Sequence, residues 1–112
     1  MQVADDNGAR AVYEGVPVGE LLGRADVSLG RQLRGPRLKV YVVVEAADGY
    51  GAVFALPEFE PDFTDRVILL ADRRDGHPLS ASEGPFRIVV PGEKRHARWV
   101  REVTVLDIRQ AR

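Results

Sequence analysis

Lys94, Arg95, His96 and Arg98 fall in one short segment between the Pro91-Gly92 turn dipeptide and Trp99, with Glu93 as the single acid among them. Cationic side chains that converge from such a loop attract an anion. Together with backbone N–H groups near Gly92 they would suit a phosphate-bearing ligand. If they do not converge, the segment is a solvated hairpin tip in which Glu93 pairs locally and Trp99 covers a sheet edge. Residue types alone leave both readings open.

Other chemistry has less support. The chain has no cysteine, which removes disulfides, thiolate metal ligands and cysteine nucleophiles. Its two histidines, His77 and His96, lie far apart and belong to no helical metal-binding pair. Asp72 and Asp75 place oxygen donors near His77, but Arg73 and Arg74 in the same turn oppose a cation, so no metal is expected. Ser28, Ser80 and Ser82 sit in no nucleophile elbow and read as a helix cap and loop residues. Gly49 and Gly51 flank Tyr50 without opening a helix, which excludes a glycine-rich phosphate loop.

A chain of 112 residues suits a single domain spanning residues 1–112 that buries roughly 65% of its unfolded surface. The polar, acidic lead MQVADDNGAR does not read as a secretory signal, and no apolar run is long enough for a spanning helix, so no membrane insertion is expected. The net charge of −1 conceals an asymmetry: residues 1–86 carry 9 Lys/Arg against 14 Asp/Glu, and residues 87–112 carry 7 against 3. The arginine-rich C-terminal part and Trp99 have the ingredients of single-strand nucleic-acid binding, but the near-neutral total argues against that partner.

The elements that must position the basic loop are mostly strands. Ala9–Tyr13 reads as a short strand, Val16-Pro17 as the start of a helix whose Val18, Leu21, Leu22 and Ala25 share one face. Ser28 can cap a second short helix with Leu29 and Leu33, ended by Gly35-Pro36. Lys39–Ala47 has the strongest β character and predicts a central strand covered on both faces, returned through the Asp48-Gly49 turn into Tyr50–Ala55. Leu56–Phe59 suggests one helical turn and Val67–Ala71 a buried strand. Ser80–Pro85 looks like a linker, Phe86–Val90 a strand, and Trp99 or Val100 to Ile108 the last strand. The sum is an α+β fold: a mixed or antiparallel sheet of five to six strands with one or two short N-terminal helices.

Several of these segments, taken in order, resemble one family. Gly15–Leu22 (GVPVGELL) is similar to the helix start of the oxidoreductase molybdopterin-binding domain of sulfite oxidases and related enzymes. Val44–Ala55 (VEAADGYGAVFA) resembles its segment before the hairpin return. Val67–Gly76, Gly84–Val90 with Pro91-Gly92, and Arg95–Val100 (RHARWV) resemble its later motifs. The likeness covers roughly residues 12–108 and implies a partial sulfite oxidase-like molybdopterin-binding fold.

The resemblance implies that Arg95, His96 and Arg98, with Lys94 adjacent, form the pocket for the phosphate of molybdopterin. It also implies a bacterial setting with periplasmic or exported location. Family enzymes hold molybdenum through a cysteine thiolate upstream of the GVP segment, and this chain has no sulfur to make that bond. The expectation is therefore a molybdopterin-binding-domain-like protein that is not a molybdenum oxidoreductase by itself and binds a pterin phosphate or other phosphate-bearing small molecule. The alternative is a ligand-free module that keeps the fold and engages a protein partner, for instance through the Asp72–Pro78 turn.

Overall fold

The computed structural model of the chain describes residues 1–27 and 34–112. Its strands are β1 (Gln2–Ala4), β2 (Arg10–Pro17), β3 (Val40–Ala46), β4 (Gly51–Ala55), β5 (Leu69–Arg74), β6 (His77–Pro78), β7 (Arg87–Val89) and β8 (Val103–Gln110). One α-helix, α1 (Val18–Arg24), and short 3-10 helices at Gly35–Lys39, Leu56–Phe59 and His96–Arg98 complete the described elements. One sheet runs β1-β2-β5-β6 with β7 also paired to β5, and the other runs β4-β3-β8. Every pairing in both is antiparallel. The α+β class follows the sequence, but the strands divide between two sheets instead of forming one.

Alternation explains the division. In β3 Val42, Val44 and Ala46 are buried while Tyr41, Val43 and Glu45 are only partly so, which makes it a strand with one covered face. The expected two-sided burial gives way because an antiparallel strand with two neighbours needs only one face against a core. Val42, Val44, Ala46 and Phe54 from the smaller sheet join Ala11, Tyr13, Ala71, Ile88 and Val89 from the larger one in a single buried cluster. Val18 and Leu22 of α1 belong to the same cluster.

Several boundaries move. β2 continues through Pro17, whose φ/ψ of −56/132° is extended, and α1 begins one residue later with the Val18 N–H bonded to Ile68 O at 2.9 Å. The fifth strand starts at Leu69, not Val67, which is exposed. Gly35-Pro36 opens a 3-10 helix where termination was expected, and the expected helix at Ser28, Leu29 and Leu33 lies outside the described residues. Asp48-Gly49 closes the β3–β4 hairpin as expected, with Gly49 at φ 89° supplying the left-handed step.

The last strand begins at Val103 because the residues before it have other partners. Ile88 N–H donates to Val100 O and Val103 N–H to Phe86 O, both at 2.9 Å, so the chain after β7 folds back along that strand before entering the smaller sheet. The Glu102 N–H then donates to Glu83 O at 2.8 Å. This return brings Arg87, His96, Trp99 and Arg101 together.

The β2–β5 pairing carries a bulge between Glu14 and Gly15. A Cβ on Gly15 would lie 2.0 Å from Leu70 O and 2.6 Å from Ala71 Cα, a collision with backbone that no side-chain rotation relieves. Gly15→Ala should cost about 1–3 kcal/mol or more through forced backbone shifts, measured as a lowered urea midpoint with unchanged slope.

Candidate functional site

Arg87 is the centre of the site. It is 2% exposed, yet its neighbours supply a full set of acceptors. Nη1 donates to Glu83 Oε2 at 2.8 Å, Nη2 to both Asp6 oxygens at 3.0 Å, and Nε to Trp99 O at 3.3 Å. Tyr13, fully buried, donates its hydroxyl to Glu83 Oε2 at 3.1 Å. Arg74 bonds Glu83 Oε1 at 3.3 Å and pairs with Asp5. A buried charge is tolerated only when matched in this way, because desolvation costs several kcal/mol per ion.

Trp99 forms the wall of this network. Its indole N–H donates to Val90 O at 3.0 Å, and the Tyr13 ring meets it edge-on at 6.0 Å. His96 stacks on it with centroids 3.7 Å apart and planes 6° from parallel. His96 Nδ1 lies 2.8 Å from Asp6 Oδ1, and Arg101 Nη2 donates to Asp6 Oδ2 at 2.5 Å. Asp6 therefore accepts from β7, from the 3-10 turn and from the segment entering β8. Beside it opens a cleft of about 500 Å³ lined by Asp6, Tyr50, Arg87, His96, Trp99 and Arg101, among others. That is the size of a small-molecule site.

The electrostatics follow from the pairing. Burial alone would raise the Asp6 pKa, but hydrogen bonds from His96, Arg101 and Arg87, with the Arg87 charge, hold it well below the usual carboxylate range. For Glu83 burial is likewise outweighed, by hydrogen bonds from Arg87 and Tyr13 and by the two arginine charges. Burial and then the Glu83 charge push the Tyr13 hydroxyl up, which keeps it a neutral donor.

The four residues singled out by the sequence do not all face one way. His96 lines the cleft, while Lys94 and His96 border a shallower hollow with Asp5, Asp6 and Gly8. Lys94 and Arg95 are exposed and have no ion-pair partner among the described residues. Arg98 points to β4: Nη2 donates to Glu58 Oε1 at 2.9 Å, Nε to Glu93 Oε1 at 2.9 Å and Nη1 to Val53 O at 3.1 Å, with its guanidinium 4.3 Å from the Phe54 ring. The Glu58 hydrogen bonds, followed by those of Glu93, raise its pKa further.

Asp6, Glu83, Arg87 and Arg101 escaped the sequence reading. Glu83 and Arg87 stand four residues apart in EGPFR, a spacing that could have suggested a pair, but Ser80–Pro85 reads as a linker when judged on polarity. Asp6 offered no local signal, since Arg87 is 81 residues away and Arg101 is 95.

Fold and site together define a small antiparallel α+β domain with an aromatic-lined cleft whose wall carries both basic and acidic side chains. The chain belongs to the oxidoreductase molybdopterin binding domain family, whose model matches residues 1–112. Comparison with curated proteins gives no match. The guanidinium and imidazole groups of Arg87, Arg101 and His96 could hold an anionic group, and Asp6, Asp48 and Glu102 line the same cleft. The site does not suit the metal end of molybdopterin, since the chain has no thiolate and the described residues contain no group of three or more His, Asp or Glu placed to hold a metal ion.

Two predictions follow from the buried network. Arg87→Ala leaves Glu83 buried without its strongest partner and should lower stability by about 3–5 kcal/mol in chemical denaturation. The pH dependence has a definite sign: Asp6 and Glu83 carry depressed pKa values in the folded state, so the unfolded chain binds protons first as pH falls. Their contribution is complete above the ordinary carboxylate range and is lost on acidification. The melting temperature should fall below about pH 4, and in Asp6→Asn that acid limb should be shallower.

Proposed function

We propose that the chain binds a phosphate-bearing ligand of the molybdopterin class in the Tyr50–Trp99 cleft, without supplying a thiolate to molybdenum. Family membership and the cleft wall support this reading. The single observation that carries it is the set of hydrogen-bond donors from separate segments, the guanidinium groups of Arg87 and Arg101 and the imidazole of His96, converging at one corner of a cavity of ligand size. Lys94, which borders the neighbouring hollow, and the exposed Arg95 are cations without an ion-pair partner among the described residues that a ligand could recruit. Arg98 is already engaged by Glu58 and Glu93, so its part is to fix the 3-10 turn that presents His96.

A molybdopterin bound here would bring its own dithiolene and two-electron metal chemistry. This chain's residues hold the anionic end: Arg87 and Arg101 by charge, His96 by a ring held flat against Trp99, and Tyr50 at the cleft margin with its hydroxyl bonded to Ala97 O. No redox step is assigned to the chain's side chains.

The pairing inside the protein supports a second reading, a ligand-free interaction module. Arg87, His96, Arg98 and Arg101 each touch an acid of the same chain. Under that reading the protein's own carboxylates satisfy the cations, and an exposed surface does the work.

Calorimetric titration of the purified chain with a pterin phosphate separates the two. The binding reading expects measurable heat and a loss of affinity of about tenfold or more in Lys94→Ala/Arg95→Ala, the scale of a charge-assisted contact. No heat and no pterin fluorescence in the purified protein would sink it in favour of the interaction module.

A further inference from the structure

Of the three donors at the cleft corner, Arg87 and His96 have partners besides Asp6, whereas Arg101 is bonded to Asp6 itself. Arg87 stays bound to Glu83 and Trp99 O, and His96 stays stacked on Trp99, whatever Asp6 does. Asp6, by contrast, sits on a small appendage. It lies in the turn joining β1 to β2, and β1 is a three-residue edge strand paired only with β2. The turn has its own local framework: Asp5 Oδ1 accepts from the N–H groups of Asn7 and Ala9 at 2.9 Å, and the Asp5 N–H donates to Ala9 O at 2.7 Å. Asp5 also pairs with Arg74 and so ties the turn to β5, but the Asp6 side chain is 31% exposed and can rotate away while Arg87 and His96 keep their other partners.

The Asp6 carboxylate receives Arg87 on both oxygens, His96 on one and Arg101 on the other, the contacts a tetrahedral oxyanion would take from the same donors. It is part of the cleft wall and also of the hollow beneath Lys94, so it stands between the two. Removing a carboxylate from this corner leaves two guanidinium groups and an imidazole; Glu83, which also pairs with Arg87, is turned toward Tyr13 and Arg74, and Asp48 and Glu102 line the cleft as well.

We propose that Asp6 is the resident, displaceable occupant of an oxyanion seat made by Arg87, His96 and Arg101, and that withdrawal of its side chain gates phosphate-ester binding there. This rests on the reading that the cleft binds a phosphate-bearing ligand, and names both the seat of the phosphate and what must leave it. A dianion competes with a monoanionic carboxylate that is covalently tethered and so present at high effective concentration. The gate consequently sets a threshold that only a ligand with further contacts in the cleft passes easily.

The test uses the whole chain, as wild type, Asp6→Asn and Asp6→Asn/Arg101→Ala, titrated with inorganic phosphate and with phenyl phosphate. Asp6→Asn should bind phenyl phosphate at least about tenfold more tightly than wild type, one decade being the loss of one competing charge contact, and the second substitution should abolish the gain. Inorganic phosphate tightening equally would assign the seat to the free ion; phenyl phosphate tightening more supports the ester. Wild type that binds phenyl phosphate as well as a folded Asp6→Asn overturns the gate and leaves the cleft reading standing, whereas no binding by either protein overturns both. Should Asp6→Asn not fold, the wild type decides: phenyl phosphate must shift the amide resonances of residues 5–9, and unmoved resonances overturn the proposal.

Discussion

A guanidinium taken almost entirely out of water must be met on every side, and in this chain Arg87 sets that requirement. Its acceptors come from the β1–β2 turn, from Glu83 just ahead of β7 and from the backbone of Trp99. Meeting them fixes where three remote segments lie. The demand extends outward, because Glu83 is buried too and needs Tyr13 and Arg74, and Arg74 needs Asp5. A buried network of this kind is stable only when complete, so the N-terminal turn and the β7–β8 connection are coupled through one side chain.

That coupling is also why the cleft has its character. Trp99 is pinned by its N–H to Val90 and by Tyr13 against its edge, so the face it turns to His96 is a fixed platform. Arg98, three positions from Arg101 and in the same basic run, is drawn the opposite way by Glu58, whose carboxylate also accepts the Ala55 N–H at 2.8 Å and so ends β4. The loop that looks uniformly cationic in sequence is sorted by these acids into an inward side, an anchoring side and the two free residues Lys94 and Arg95.

The parts of this arrangement visible in the sequence are those decided locally. The β3–β4 hairpin follows from a β-branched run meeting Asp48-Gly49, and the Pro91-Gly92 stop from a missing N–H and a glycine at φ 81°. The motif series from Gly15 to Val100 could be matched to its family for the same reason, since each piece is a short fixed spacing. Asp6 was illegible because nothing in MQVADDNGAR distinguishes it from Asp5; only the fold puts one beside Arg74 and the other beside Arg87. Trp99 and Val100 have strand character, yet they form no part of β8 because Trp99 spends its polar atoms on Val90 and Arg87. Tertiary hydrogen bonding overrode β propensity there.

The same physics bears on how a domain of this family can lack a thiolate and keep its shape. The stabilising charges in the cleft corner close upon one another, guanidinium to carboxylate, with no contribution required from a bound group. A pocket whose positive wall had relied on a cofactor for its counter-charge would be left with like charges crowded at low dielectric, several kcal/mol of repulsion and desolvation. Asp6 removes that dependence: it supplies the counter-charge from within the chain, on a side chain that remains partly open to solvent. The self-pairing that favours a ligand-free module and the convergence that favours a ligand thus draw on one set of donors, and the balance between them turns on how firmly Arg87, His96 and Arg101 hold the Asp6 carboxylate.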